Sequence, residues 1–296
     1  MKRESEADKM HTAGFTFSKR VVRKAILFHA LAILFGIVMI YPLVWMIASS
    51  LKPNAEVFTT VTSLIPSKFV WHNYVEGWQS AGRYTYATYF RNSFIIAIFS
   101  TIGSVASSSL VAYAFARIPF VGRKACFAIL MGTMLLPNQV LLIPQYVMFK
   151  NLGWINTFLP IIVPQFCGMP FFIFLNIQFM RGVPRELDEA AEIDGCGWTK
   201  KYAYVLLPLS KPSLITSAIF AFYWSWQEFL GPLIYLSKPR MYPVSIALKM
   251  FSDPSTQTNW SGLFAMTTLS IIPVLLVFMF FQKYLVEGVA TTGLKG

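Results

Sequence analysis

Two acidic features of this sequence carry most of its chemical potential. One is a cluster, Glu189-Ala190-Ala191-Glu192-Ile193-Asp194-Gly195, preceded by Arg185, Glu186 and Asp188. The other is Glu228, a lone acid in a long apolar run beside Trp224, Trp226 and Gln227. A membrane enzyme would need paired carboxylates or metal-ligating histidines in or near the apolar runs. The histidines, His11, His29 and His72, are dispersed and form no HExxH pattern. Cys126, Cys167 and Cys196 show neither metal spacing nor a disulfide framework, and read as small space-filling residues. No GxxxxGK[ST] phosphate loop is present, so ATP chemistry in this chain is excluded. What remains for the cluster is docking. For Glu228 it is binding or polar contact inside a membrane.

The cluster reads as a short helix. Pro184 suits a first helical turn, where its missing N–H costs nothing. Glu186, Asp188 and Glu189 then fall where the helix dipole favours negative charge. Ala190 and Ala191 are strong helix formers, and Gly195 is a natural stop. A helix of about ten residues is too short to stand alone in water, so it needs a partner surface. Ala191 and Gly195 share one nearly bare face, and Glu189 and Ile193 form the stripe beside it. A solvated acidic helix is the plainer alternative. Lys200 and Lys201 open a second amphipathic piece, which Pro208 and Pro212 end.

The rest of the chain explains where such a helix sits. The 296 residues are 55% hydrophobic and only 13% charged, a composition foreign to soluble domains of this size. Six stretches lack charge or nearly so: 25–51, 92–116, 125–149, 151–180, 212–237 (broken only by Glu228) and 254–282. Each exceeds the roughly 20 residues that a helix needs to cross a bilayer. The expected fold is therefore all-α, a polytopic membrane protein with six transmembrane helices. Six crossings put both termini on one side. The basic cluster Lys2, Arg3, Lys9, Lys19, Arg20, Arg23 and Lys24 places that side in the cytoplasm. The net charge of +12 is spread between apolar runs, which fits topology control and not nucleic-acid binding.

Prolines punctuate the third, fourth and sixth stretches: Pro137 and Pro144, then Pro160, Pro164 and Pro170, then Pro273. Each removes a backbone donor and can kink a helix, although Pro160 also suits a helix start. The external segment after the first span holds Trp71, Tyr74, Trp78, Tyr84, Tyr86, Tyr89 and Phe90. These rings are expected in the headgroup belt on a surface-lying helix, with a sugar-stacking platform as the alternative. An acid near mid-membrane costs on the order of 3 kcal/mol, so Glu228 should face a partner or a wet cavity. With Trp224, Trp226 and Gln227 it could receive sugar hydroxyls and a sugar face; polar contact between helices competes with that reading. Gln165, Asn176 and Gln178 in the fourth stretch are weaker candidates.

The order acid, Ala-Ala, Asp194-Gly195 and then LPLSKP at 207–212 resembles the EAA loop of ABC importer permeases. YFRNSF at 89–94, WSWQEF at 224–229 and QKYLVEGVATTGLKG at 282–296 are similar to other parts of the maltose-type, MalG-like carbohydrate permeases. The likeness covers 20–296, with Cys196 where that family usually has alanine. It implies the type I (MetI-like) importer permease fold. It divides the chain into a cytoplasmic basic segment 1–24, a first transmembrane helix 25–51 and an extracytoplasmic loop with an interfacial helix 52–91. A five-helix core 92–286 carries the coupling loop 181–211, and a cytoplasmic tail spans 287–296.

The resemblance further implies a multi-pass subunit of the bacterial cytoplasmic (inner) membrane that imports a carbohydrate. Its partners would be a second, homologous permease, an ATPase dimer that uses ATP and Mg, an extracytoplasmic sugar-binding protein and membrane lipid, with no nucleic acid. This chain would hold no cofactor and perform no catalysis. The helix from Arg185 to Gly195, with Glu189, Ala190, Ala191 and Asp194, would enter an ATPase cleft. Gly293, Lys295 and Gly296 would reach toward the ATPase interface. Glu228, Gln227, Trp226, Trp224 and Asn176 would line the substrate pathway. An ion-coupled transporter or channel is the competing class, disfavoured by the single intramembrane acid and the lack of an obvious repeat.

Overall fold

The computed structural model describes residues 19–79, 84–251 and 258–293, and among these there is no strand. The described chain opens with α1 (Lys19–Ser50), apolar all round and with Pro42 inside it. A short helix α2 (His72–Gln79) follows. The central helix α3 (Tyr86–Arg117) has 32 residues. Then come α4 (Arg123–Thr133), α5 (Asn138–Asn151) and α6 (Leu159–Ile162), the last running into a 3₁₀ turn, Val163–Cys167. Helix α7 (Pro170–Gly182) leads to α8 (Glu186–Ile193). After a helical segment Trp198–Leu209 the chain enters α9 (Lys211–Gln227), then α10 (Leu230–Tyr235), α11 (Val244–Met250) and α12 (Trp260–Gly293).

Among the described residues four helices are long and apolar enough to span a membrane: Arg23–Ser50, Tyr86–Arg117, Leu159–Gly182 and Trp260–Leu285. The segments Trp198–Leu209 and Lys211–Gln227, bent by 75° at Ser210, count as a fifth if taken together. The third apolar stretch of the sequence is not one helix. It stops at Met134–Pro137, between α4 and α5, because Pro137 offers no N–H and has an extended backbone (ψ 128°). The fourth stretch breaks at Gly168, whose φ of +87° suits only a residue without a side chain. There the Met169 N–H, freed from the helix ladder, donates to Ser108 Oγ at 3.0 Å. Such a break is tolerated at membrane depth because a neighbouring helix satisfies the loose backbone group. Pro160 and Pro170 both sit at helix starts, as the sequence allowed.

Helix α3 is the hub. It packs against α7, α9 and the 3₁₀ turn, and α9 packs in turn on α12. Its buried face is small and polar: Ser93, Ser100, Ser104, Ser108 and Ser109 with Ala97 and Ala112. Small residues let backbones approach closely in a membrane, where the apolar medium gives helices little reason to associate. Gly103 shows how close: a methyl group there would lie 2.5 Å from the Phe166 ring. Helix α3 also begins six residues before the expected Asn92. The rings assigned to an external belt are therefore split. Tyr86 and Tyr89 are fully buried against Val244, Ala247, Phe251 and Met266, so they form no sugar-stacking surface, whereas Trp71 is exposed. The loop after α1 is pinned by Lys52, itself fully buried, whose Nζ donates to the carbonyls of Thr60 and Ser63 at 2.7 Å each.

Candidate coupling helix and cleft

Helix α8 is short, eight residues, with Glu186, Asp188 and Glu189 in its first turn. Its end is a Schellman cap. Gly195, at φ +75°, donates its N–H to Glu192 O, and Cys196 N–H reaches Ala191 O, both at 2.9 Å. A non-glycine residue at 195 would be strained by its own Cβ.

The two sides of α8 differ. Ala191 is buried, and the helix packs with that side on the turn Lys201–Leu206. Asp188, on the same side, places Oδ2 2.9 Å from Arg117 Nε at the end of α3. Arg117 also donates from Nη2 to Val183 O at 2.7 Å. The pair is nearly dry, with side-chain exposures of 5% for Arg117 and 17% for Asp188. Tyr113, one turn up α3, donates its hydroxyl to Trp198 O at 2.9 Å, and Ser109 and Tyr202 pair at the same distance. Glu192 meets Lys201 at 2.7 Å, but this acid is mostly in solvent. The opposite side is bare. Glu189, Ala190, Asp194 and Arg185 are exposed, and Ile193 stands 87% exposed. Glu189 forms no ion pair among the described residues. The two halves of the small face thus part company: Ala191 fits the helix to its own chain, while Gly195 caps it in the open.

The second feature is a cleft of about 150 Å³ lined by Ser100 and Ser104 of α3, Gln165 of the 3₁₀ turn, and Trp224, Ser225 and Glu228 at the end of α9. Glu228 lies at a break, not inside a helix: α9 ends at Gln227 and α10 starts at Leu230. Its Oε1 accepts from Gly231 N–H at 2.9 Å, and its carbonyl accepts from Ser245 Oγ at 2.7 Å. Trp224 stacks on Phe172, with ring centroids 5.2 Å apart and 21° between planes. Ser104 donates to Gln165 Oε1 at 3.0 Å, whereas buried Ser100 Oγ has no partner. No Lys or Arg lines the cleft.

The other sequence candidates lie elsewhere. Gln227 and Gln178 are exposed. Trp226 is buried, with its indole N–H on Ser270 O at 3.0 Å and its ring against Phe94 and Phe222. Asn176 is fully buried between α7 and α9: it donates to Phe172 O and Ser217 Oγ and accepts from Ser213 Oγ. Both therefore act as contacts between helices in this chain. Gly293 is the last residue of α12, which runs on into the segment expected as the tail 287–296. Lys295 and Gly296, like most of the 1–24 segment, lie outside the described residues. Sequence reasoning missed Arg117, Tyr113, Ser100 and Ser104. Arg117 read only as the charge that ends a span. Among the described residues no group of His, Cys, Asp and Glu is placed to hold a metal.

Comparison with known proteins gives this geometry a context. Residues 105–291 match the family of binding-protein-dependent transport system inner membrane components. The chain belongs to this family. The match starts inside α3, just after Ser104, and takes in Gln165, α8, Glu228 and most of α12. The trehalose/maltose transport system permease protein MalG of Thermococcus litoralis is 32% identical over 93% of this chain and 98% of its own length. The arabinooligosaccharides transport system permease protein AraQ of Halalkalibacterium halodurans is 33% identical over 87% of this chain and 91% of its own. The probable ABC transporter permease protein YurM of Bacillus subtilis is 33% identical, covering 89% and 86%. A crystal structure of a bacterial ABC transporter involved in alginate import superposes with a TM-score of 0.77 at 21% identity, over 90% of this chain and 98% of that one. That likeness shows the fold, all-α among the described residues, and the family match shows the transport permease.

Proposed function

We propose that this chain is one membrane half of an ATP-driven importer of carbohydrate in the bacterial inner membrane, working with a second permease, an ATPase pair and an extracytoplasmic sugar-binding protein. The observation that carries the reading is α8. An eight-residue helix is too short to persist on propensity alone, yet this one is held from behind and bare in front. The bare side pairs an unmatched carboxylate, Glu189, with an exposed Ile193. An apolar anchor ringed by charge fits a partner groove with a basic lining. Glu189, Ala190, Asp194 and Arg185 supply that contact from the outward side, while Ala191 and Gly195 hold the shape behind it. Gly293, Lys295 and Gly296 extend the contact from the end of α12. Both termini are then cytoplasmic, and the α4–α5 pair completes six crossings as one broken span.

The substrate path runs past the cleft. Glu228 and Trp224 offer a sugar an acceptor for hydroxyls and an aromatic face, as the resemblance implied, and Gln227 stands beside them. A lone carboxylate with no cation in the lining favours neutral sugars over acidic ones. Trp226 and Asn176 support the path from behind. The test is reconstitution of the whole complex in vesicles, measuring ATP hydrolysis against maltose, trehalose, arabino-oligosaccharides and a uronate. Sugar-stimulated hydrolysis with accumulation of a neutral sugar is the expected result. Proton-driven uptake by this chain alone would overturn the reading in favour of an ion-coupled carrier.

A further inference from the structure

Helix α3 touches both features described above. Its Ser100 and Ser104 line the cleft, and its last residue, Arg117, holds α8. From Ser104 to Arg117 is about 20 Å of helix at 1.5 Å per residue. The stretch between them, unlike α7 and α9 with their breaks, is one uninterrupted helix without proline. Any motion of α8 that passes Arg117 therefore reaches the cleft wall with little loss in bending.

We infer that Arg117 is a positioning residue for coupling: with Asp188 it clamps the coupling helix to α3, so that a movement imposed on α8 is delivered along α3 to the cleft. This rests on the reading of α8 as the ATPase contact. Three observations set the pair apart from an ordinary surface bridge. Both side chains are largely out of water, so solvent does not screen the attraction. Arg117 grips two places at once, the Asp188 carboxylate and the Val183 carbonyl, across the junction between α7 and α8. Tyr113 and Ser109 repeat the attachment one and two turns up α3, through Trp198 and Tyr202. These fix the segment after α8, which leaves the Arg117 pair as the contact of α3 with α8 itself. The Lys201–Glu192 bridge, with Lys201 buried and Glu192 in solvent, ties α8 to the segment that follows it and not to α3 directly.

The experiment uses the assembled complex, purified through a tag on this chain and placed in vesicles with its binding protein. The sugar is whichever of maltose, trehalose or arabinotriose most stimulates the unaltered complex. Sugar delivered per ATP hydrolysed is compared for Arg117→Ala, Arg117→Lys and the charge swap Arg117→Asp with Asp188→Arg. Arg117→Ala is expected to lower the ratio about fivefold or more while the ATPase still copurifies and hydrolyses ATP. Arg117→Lys should lose less. The swap should recover most of the loss, as a direct pairwise term requires. An unchanged ratio in Arg117→Ala, or a swap no better than the worse of its single variants, overturns the inference. So does failure of every variant to assemble, the swap included, since the pair would then serve folding alone. Absence of sugar stimulation in the unaltered complex would sink the proposed function instead.

Discussion

The α8 end and the cleft end of this molecule both present a carboxylate to the outside, and they hold it in opposite ways. Around α8 the acid sits on a capped helix whose back is fixed by an enclosed ion pair and a buried alanine, with two tyrosine contacts anchoring the segment that follows. Around Glu228 the acid sits at a gap between two helices, held by a single backbone N–H, beside a serine hydroxyl with no partner. A joint that passes force needs the first construction. A surface that meets a sugar for a moment and lets it go needs the second, because groups left free of internal partners can exchange them with a passing ligand. The difference is one of stiffness, and each of the following substitutions bears on it.

The largest effect should come from the outward face of the joint. Glu189→Lys places a cation where a basic groove is expected, and sugar uptake should fall by more than about tenfold. Vesicle uptake and ATP hydrolysis, measured side by side, would show whether hydrolysis survives; unchanged uptake would break the comparison. Next is the inward face. Ala191→Leu overfills a closed contact and should cost about 1–3 kcal/mol, read as a lower melting temperature of the detergent-solubilised complex. A neutral outcome would mean that the back of α8 is as loose as the cleft. In the cleft, Glu228→Gln removes a charged acceptor but leaves the fold. The sugar concentration for half-maximal uptake should rise about threefold, with stability unchanged. A collapse in stability instead would make Glu228 part of the scaffold. The smallest effect belongs to Gly195→Ala, which forces a side chain into a left-handed backbone and should lower stability by about 1 kcal/mol in thermal unfolding.

The sequence showed the helix α8 clearly, since every signal for it is local: a proline, three first-turn acids, two alanines and a glycine within twelve residues. The cleft was half legible. Glu228 stood out as a charge in an apolar run, and Trp224 lay beside it. Ser100 and Ser104 did not stand out, and Gln165 did so only as a weaker candidate, because only the pairing of α3 with the 3₁₀ turn brings the three together. The inverse held for Trp226 and Asn176, whose types suit a sugar but whose neighbours bury them. Arg117 and Asp188 were hidden by separation along the chain. Helix breaks were hidden by composition: a run without charge tells how much chain lies in the membrane, not where its backbone bends. At Gly168 and Glu228 the bend depends on what a neighbouring helix can satisfy, which no local pattern records.

The turn between the coupling helix and α9 carries one more consequence. Residues Lys201–Leu206 are wound as a π-helix, in which an N–H reaches five residues back, as Leu207 N–H does to Tyr202 O, so that the turn holds one residue more than an α-helical turn would. Lys201, turned toward Glu192, and Leu206, packed in the α3–α7 core, lie at its two ends. A single residue removed inside it would let the turn relax to an ordinary helix, and the segments on either side would keep nearly the phase they have now. A residue removed from the α-helical turns beside it, where there is no surplus, would instead rotate what precedes it by about 100° relative to α9, and Asp188 would face away from Arg117. The π turn is thus where this loop can yield a residue, and the helical turns beside it are where it cannot.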